Sequence, residues 1–226
     1  MSQISGVLAQ LENTSVYDIL VKMEEDYERI AMEQGGWYEK TDFTCPAGCG
    51  YCCKGFEPDI FDGEALYMAA WLLENDRSTA LKVSEGEYPF MHDDGTCLFF
   101  NDSSPFHCSI YNGRAFVCRL FGASSFRSPS GEKMWRPCKF YPDEYLLTHV
   151  PPLQKKPYSE LETEQVLGAV PPLMSDLTQE IVSLSSGEAF LIHEILPQKI
   201  RYLLWLIAMN DNGNDNPNGT PSPVAA

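Results

Sequence analysis

Cys45-Pro46-Ala47-Gly48-Cys49-Gly50-Tyr51-Cys52-Cys53 sets four thiols within nine residues, and Cys97, Cys108, Cys118 and Cys138 bring the chain to eight. Thiolates packed this closely repel one another unless a cation sits among them, so the run reads as the core of a metal-binding lobe. Pro46, Gly48 and Gly50 inside the run, with Gly55 and Pro58 after it, exclude a regular helix or strand. They let the backbone curl around a ligand and turn its N–H groups toward sulfur. Fold must therefore be built around an irregular segment, supported by whatever regular elements flank it.

Working outward, residues 15–34 carry Val16, Ile19, Leu20, Met23, Tyr27 and Ile30 at three- and four-residue spacing. This predicts an amphipathic helix, with Ser15 as its cap and Gly35-Gly36 as its stop. A loop over 37–60 follows, then a second helix over 62–75 with Leu66, Ala69, Ala70 and Leu73 on one side. Between 88 and 141 the elements are short. Cys97-Leu98-Phe99-Phe100 and Phe106 to Ile110, joined by a turn over 101–105, predict a hairpin. Tyr111 to Leu120 predicts a short helix carrying Cys118. Ten aromatic residues between Cys97 and Tyr141 supply packing and keep water from the thiols. Three more helices are expected at 158–168, 173–186 and 197–209, the last with Pro197 in its first turn. From Asn210 the composition is Asn, Asp, Gly and Pro, which predicts a disordered tail. The expected architecture is mainly α with an irregular cysteine-rich metal-binding lobe containing a short β-hairpin, an α+β arrangement. It comprises one domain, 1–209, with the lobe at 37–141, helical support at 15–34, 62–75 and 158–209, and a tail at 210–226.

Charge is uneven. The chain carries −16 overall, yet 108–140 holds Arg114, Arg119, Arg127, Lys133, Arg136 and Lys139 against Glu132 alone. An acidic surface repels phosphate backbones, which argues against nucleic acid as a partner. The basic island is read as an offset for nearby thiolates. A sharper alternative makes it a pocket for an anionic group, with Arg114 or Arg119 as the bidentate donor. The N-terminus has neither a basic start nor an apolar run, and the longest apolar stretch, Tyr202 to Met209, is far short of the ~20 residues that span a bilayer. These features favour a cytoplasmic protein with reduced thiols over a disulfide framework, and neighbouring Cys52 and Cys53 make poor disulfide partners.

The spacing of the thiols bears on the metal. Structural zinc favours two close pairs, whereas iron–sulfur clusters take three close cysteines and one distant one. Cys45, Cys49 and Cys52 follow the second pattern. Cys52 and Cys53 project in different directions, so they imply either two neighbouring sites or one polynuclear cluster. The same triplet is similar to the signature of radical S-adenosylmethionine enzymes. The chain lacks their strand–helix alternation, and Cys53 offers a fourth ligand. Of the histidines, only His107 stands beside a cysteine, and a hydrogen bond to a carbonyl or carboxylate is its expected role.

Three ordered motifs together resemble the YkgJ-type cysteine-cluster family: the opening run, Asp94-Gly95-Thr96-Cys97-Leu98-Phe99-Phe100, and Cys108 through Gly122. That family is described as a zinc- or iron-chelating domain with eight cysteines. The resemblance covers about 43–140 and implies that Cys45, Cys49, Cys52, Cys53, Cys97, Cys108, Cys118 and Cys138 are the chelating set. This chain has Arg114-Ala115 where the family usually has Arg-Pro. The cluster is more weakly similar to that of the flagellin lysine methylases. The resulting expectations are a protein holding one or two iron–sulfur clusters, 4Fe-4S favoured, or zinc or iron ions, in redox or accessory chemistry. The alternatives are an S-adenosylmethionine-dependent iron–sulfur enzyme and a zinc-stabilised module for a protein partner. A small-molecule substrate goes with the enzyme alternative.

Overall fold

The computed structural model describes residues 2–41, 43, 49–185 and 187–214. Nine helices and five short strands are formed among the described residues, so the chain is mainly α with a small β component.

Helix α1, Ser5–Gln10, is capped from a distance, the Glu74 carboxylate accepting the N–H groups of Gly6 and Val7 at 3.2 and 2.8 Å. Helix α2, Ser15–Lys40, begins one residue after the Thr14 cap, whose hydroxyl accepts the Tyr17 N–H. It does not stop at Gly35-Gly36. Two interior glycines cost about 1 kcal/mol each against alanine. The next turn recovers that amount, since burying one large side chain is worth about 1.5–3 kcal/mol. Trp37 is buried there, with its indole N–H on the Ala169 carbonyl at 3.1 Å, and the Gln34 amide donates to the carbonyls of Arg119 and Ala123.

Strand β1, Asp59–Phe61, runs straight into α3, Asp62–Asn75, the span expected from the sequence. Strand β5, Ala189–Leu191, runs likewise into α9, Ile192–Asn214, and the two strands pair antiparallel about Ile60 and Phe190. Each helix carries a glutamate in its first turn that accepts the N–H of the residue just before the helix, Glu64 from Phe61 and Glu194 from Leu191. The result is a pair of strand–helix units whose strands pair and whose helices pack on each other. Helix α3 is buried nearly all round, by α1, α2, α4 (Arg77–Ser84) and α9, which suits its alanine-rich sequence.

Three further expectations are corrected. Helix α9 begins five residues before Pro197, because strand β5 aims the chain into it and Glu57 accepts the His193 N–H at 2.8 Å. It also runs past Asn210, where a tail was expected. The Asn210 amide donates to the carbonyls of Gln10 and Glu12, tying that turn to the end of α1. Residues 215–226 of the expected tail lie outside the described residues. The hairpin at Cys97–Phe100 and Phe106–Ile110 shrinks to a single antiparallel bridge between Phe100 and Cys108. His107, at φ +50, bends the returning arm away after one pairing.

The longer β element lies elsewhere. Strands β2 (Phe126–Arg127), β3 (Lys133–Trp135) and β4 (Tyr158–Ser159) form an antiparallel sheet, and Ser159 caps α7, Glu160–Leu167. Short helix α5, Phe116–Leu120, carries Cys118; α6, Asp143–Leu147, and α8, Met174–Ser183, complete the set. Two apolar cores result. The first collects α1, the first half of α2, α3, α4 and α9 with Phe99, Phe100 and Leu120. The second centres on Trp37, Phe43, Trp135, Tyr141 and Tyr158.

Candidate metal centre

Gly50 begins the arrangement. At φ +54 it sits in the left-handed region and starts a tight 3-10 turn over Tyr51–Cys53 that presents Cys52 and Cys53 together. A side chain at Gly50 would meet Cβ, Cγ and Cδ2 of His107 within 2.6–2.8 Å, so the turn closes directly onto that ring. The motifs are stitched by backbone: the Cys97 N–H donates to the Cys53 carbonyl at 3.1 Å, and the Gly55 N–H to the Thr96 hydroxyl at 2.9 Å. The Phe100–Cys108 bridge then brings Cys108 alongside. The third motif returns over Gly113, against which the Trp71 ring packs too closely for any Cβ, and delivers Cys118 on α5.

Six cysteines, Cys49, Cys52, Cys53, Cys97, Cys108 and Cys118, line one cavity of about 280 Å³. Its remaining wall is largely apolar, including Met68, Phe99, Phe106, Ile110, Phe121 and Ile192. Cys138 stands at an adjoining cavity of about 320 Å³, which shares Phe121 with the first and is flanked by Arg136 and Lys139. It is near enough to Cys49 and Cys52 to feel their charge. Cys45, the eighth of the expected set, lies outside the described residues. Among the described residues, no three His, Cys, Asp or Glu side chains close into a ready-made ligand group. The described thiols thus share a common cavity, and among the described residues no three of them converge on one point.

Electrostatics in the cavity disfavour bare thiolates. Burial pushes Cys97 up to about 12, and burial likewise raises Cys118 well above the ordinary thiol range, with Cys97, Cys108 and Cys52 adding like charge. Cys52 is raised by its hydrogen bond with Cys53 and then by burial, while burial also raises Cys108 and Cys138. Soft sulfur donors in an apolar wall become anionic when a cation shares the space. The donor set therefore fits a thiophilic metal, with the described cysteines as the groups that would hold it.

Arg114 and Arg119 both line the cavity. Arg119 donates through Nε to the Arg114 carbonyl at 3.1 Å and through Nη2 to the Asn112 carbonyl, and its guanidinium lies 3.9 Å over the Tyr27 ring. Arg114 donates to the Tyr111 carbonyl at 2.6 Å and stacks 3.7 Å over that tyrosine's ring. Both cations face the thiols while bracing the loop around them, in keeping with the charge-offset reading. Ala115 holds φ −55 and ψ 156, a conformation proline also adopts, so its departure from Arg-Pro leaves the turn before Cys118 intact. His107 rests its Nδ1 3.2 Å from the Asn101 carbonyl, the role expected of it.

Sequence reasoning missed Glu64. It is 1 % exposed, held up to about 7 chiefly by burial, and bonded to the helix that carries Cys118. A lone acid on a helix whose other inward positions are apolar was the available signal.

Comparison with known proteins bears on the same segment. No curated protein and no solved structure matches the chain. Residues 44–144 match a family model described as "CxxCxxCC: Putative zinc- or iron-chelating domain". All eight cysteines fall inside that span, and six of them face one cavity. The segment from 44 to 144 is therefore similar to the CxxCxxCC family of zinc- or iron-chelating domains.

Proposed function

We propose that the eight cysteines hold one or two iron–sulfur clusters, 4Fe-4S first, in redox or accessory chemistry, with zinc or iron ions as the next choice. The observation that carries this is the six cysteines on a single 280 Å³ cavity. One tetrahedral ion takes four thiolates, so six on one wall, with Cys138 adjoining, favour a polynuclear group or two neighbouring sites. When bound, such a group supplies either one-electron storage or a fixed positive charge. The chain's own contribution is thiolate donors on glycine-permitted turns, an apolar wall that limits water, and the two arginines that offset negative sulfur.

An S-adenosylmethionine-dependent enzyme has less support. Of the two guanidiniums that could serve an anionic group of such a cofactor, Arg119 spends two of its nitrogens on carbonyls and Arg114 one.

Anaerobically purified protein should be brown, with iron and acid-labile sulfide at one or two clusters per chain. Reversible bleaching by a reductant would place it in redox chemistry. Colourless protein with stoichiometric zinc would overturn the cluster reading and leave a zinc-stabilised module. Protein without bound metal that takes up neither zinc nor iron would overturn both.

A further inference from the structure

Glu64 spends both carboxylate oxygens inside the fold. Oε2 accepts the Phe61 N–H at 2.9 Å, which closes the first turn of its own helix. Oε1 accepts the Phe116 N–H at 2.7 Å and the Tyr27 hydroxyl at 3.4 Å. One buried carboxylate thus joins three elements: α3, α2 through Tyr27, and α5 at its first residue. Capping α3 needs only one of those oxygens, and a cap can be had from solvent without burying charge. The second oxygen acts across the fold, two residues before Cys118.

The other end of α5 is held in the same place. Arg119, next to Cys118, lies over the Tyr27 ring whose hydroxyl reaches Glu64, and Tyr67 of α3 packs edge-on to that ring at 4.9 Å. Glu64, on the Phe116 N–H, and Tyr27, under the Arg119 guanidinium, therefore grip both ends of the five-residue helix α5, while Cys118 lines the cavity. A helix this short has no stability of its own and takes its position from its neighbours.

We propose that Glu64 is a positioning residue for the metal centre, fixing α5 and with it the Cys118 sulfur against the cavity. This rests on the metal-binding reading above. Groups that orient a ligand without touching the metal are worth about 10–100-fold in affinity.

The test is a cobalt(II) titration of reduced, metal-free full-length protein, in competition with a chromophoric chelator and read by the thiolate-to-cobalt absorption. Glu64→Gln is expected to weaken cobalt binding about 10–100-fold and to shift that absorption. In a Cys118→Ser background the same substitution should change little, because its effect runs through that sulfur. Phe116→Pro deletes the other partner of the key bond. Proline suits the first helical position, and Ala115 already has the extended conformation that precedes proline. It should reproduce the loss, and it decides the matter if Glu64→Gln loses helix by circular dichroism. Wild-type affinity and absorption in the folded variants would overturn the proposal, as would an equal loss with and without Cys118. A wild-type protein that binds no cobalt would overturn the metal reading itself, and the clamp with it.

Discussion

Burial holds the Glu64 carboxyl up to about 7 from the ordinary 4.5, so the folded protein keeps a proton that the unfolded chain releases. Between about pH 4.5 and 7 the native state binds more protons, and the stability contributed by this group falls as pH rises. Below that window the contribution is constant, and above it the loss is complete. At 1.36 kcal/mol per unit the loss is about 3 kcal/mol. Glu64→Gln cannot titrate, so denaturation of the metal-free variant should show a flatter pH profile than wild type across this window. Parallel profiles would mean that Glu64 is ionised in the folded protein. Gly50 is constrained differently, by space and by φ +54 together. Gly50→Ala would press a methyl into the His107 ring and should destabilise by at least about 1–3 kcal/mol in chemical denaturation. An unchanged midpoint would show that His107 moves aside freely. The cysteine positions were legible in the sequence because their spacing is chemical information. Glu64 was not, since its partner Phe116 lies fifty-two residues away and donates a backbone N–H that no side-chain pattern announces.

At the scale of elements, α2 shows where reading the chain works and where it stops. The apolar spacing over Val16 to Ile30 gave the helix, but its end depends on what Gln34 and Trp37 touch, and those partners are Arg119, Ala123 and Ala169. Gly35 and Gly36 therefore remain as helical residues with nothing within 4 Å of the space where a Cβ would stand. Alanine there gains helix propensity with no clash, so Gly35→Ala and Gly36→Ala should each stabilise by about 0.5–1 kcal/mol. Two lowered melting temperatures would show that this turn is not held as a regular helix. The start of α9 was misread for a similar reason. Pro197 is a local signal for a first turn, whereas strand β5 and Glu57 set the true beginning through contacts with β1 and its approach. Helix α3 was placed correctly because Leu66, Ala69, Ala70 and Leu73 recur on one side, a local signal that burial of that side then keeps.

Across the whole molecule, five of the described thiols are divided between the two apolar cores. Cys97 is buried in the first core and Cys53, Cys108 and Cys118 pack against it, whereas Cys138 packs against the second. Helix α2 threads both, with Met23 and Ile30 in one and Trp37 in the other. A metal or cluster bound by thiols from both sides would join the cores by bonds that persist until it leaves, which makes binding energy into folding energy. The second core is the smaller and the more dependent on that joint, since its strands are two or three residues long. Trp37 and Trp135 lie in it, while Trp71 and Trp205 do not. With Trp71 and Trp205 replaced by Phe, tryptophan fluorescence reports the second core and far-UV circular dichroism reports mainly the helices of the first. In the metal-loaded protein the two thermal transitions should coincide, as all-or-none unfolding requires. After chelation under reducing conditions the fluorescence transition should move to lower temperature ahead of the dichroism, with most helix retained at 25 °C. Coincident transitions before and after chelation would mean that α2 alone couples the cores and that the cysteines do not bridge them.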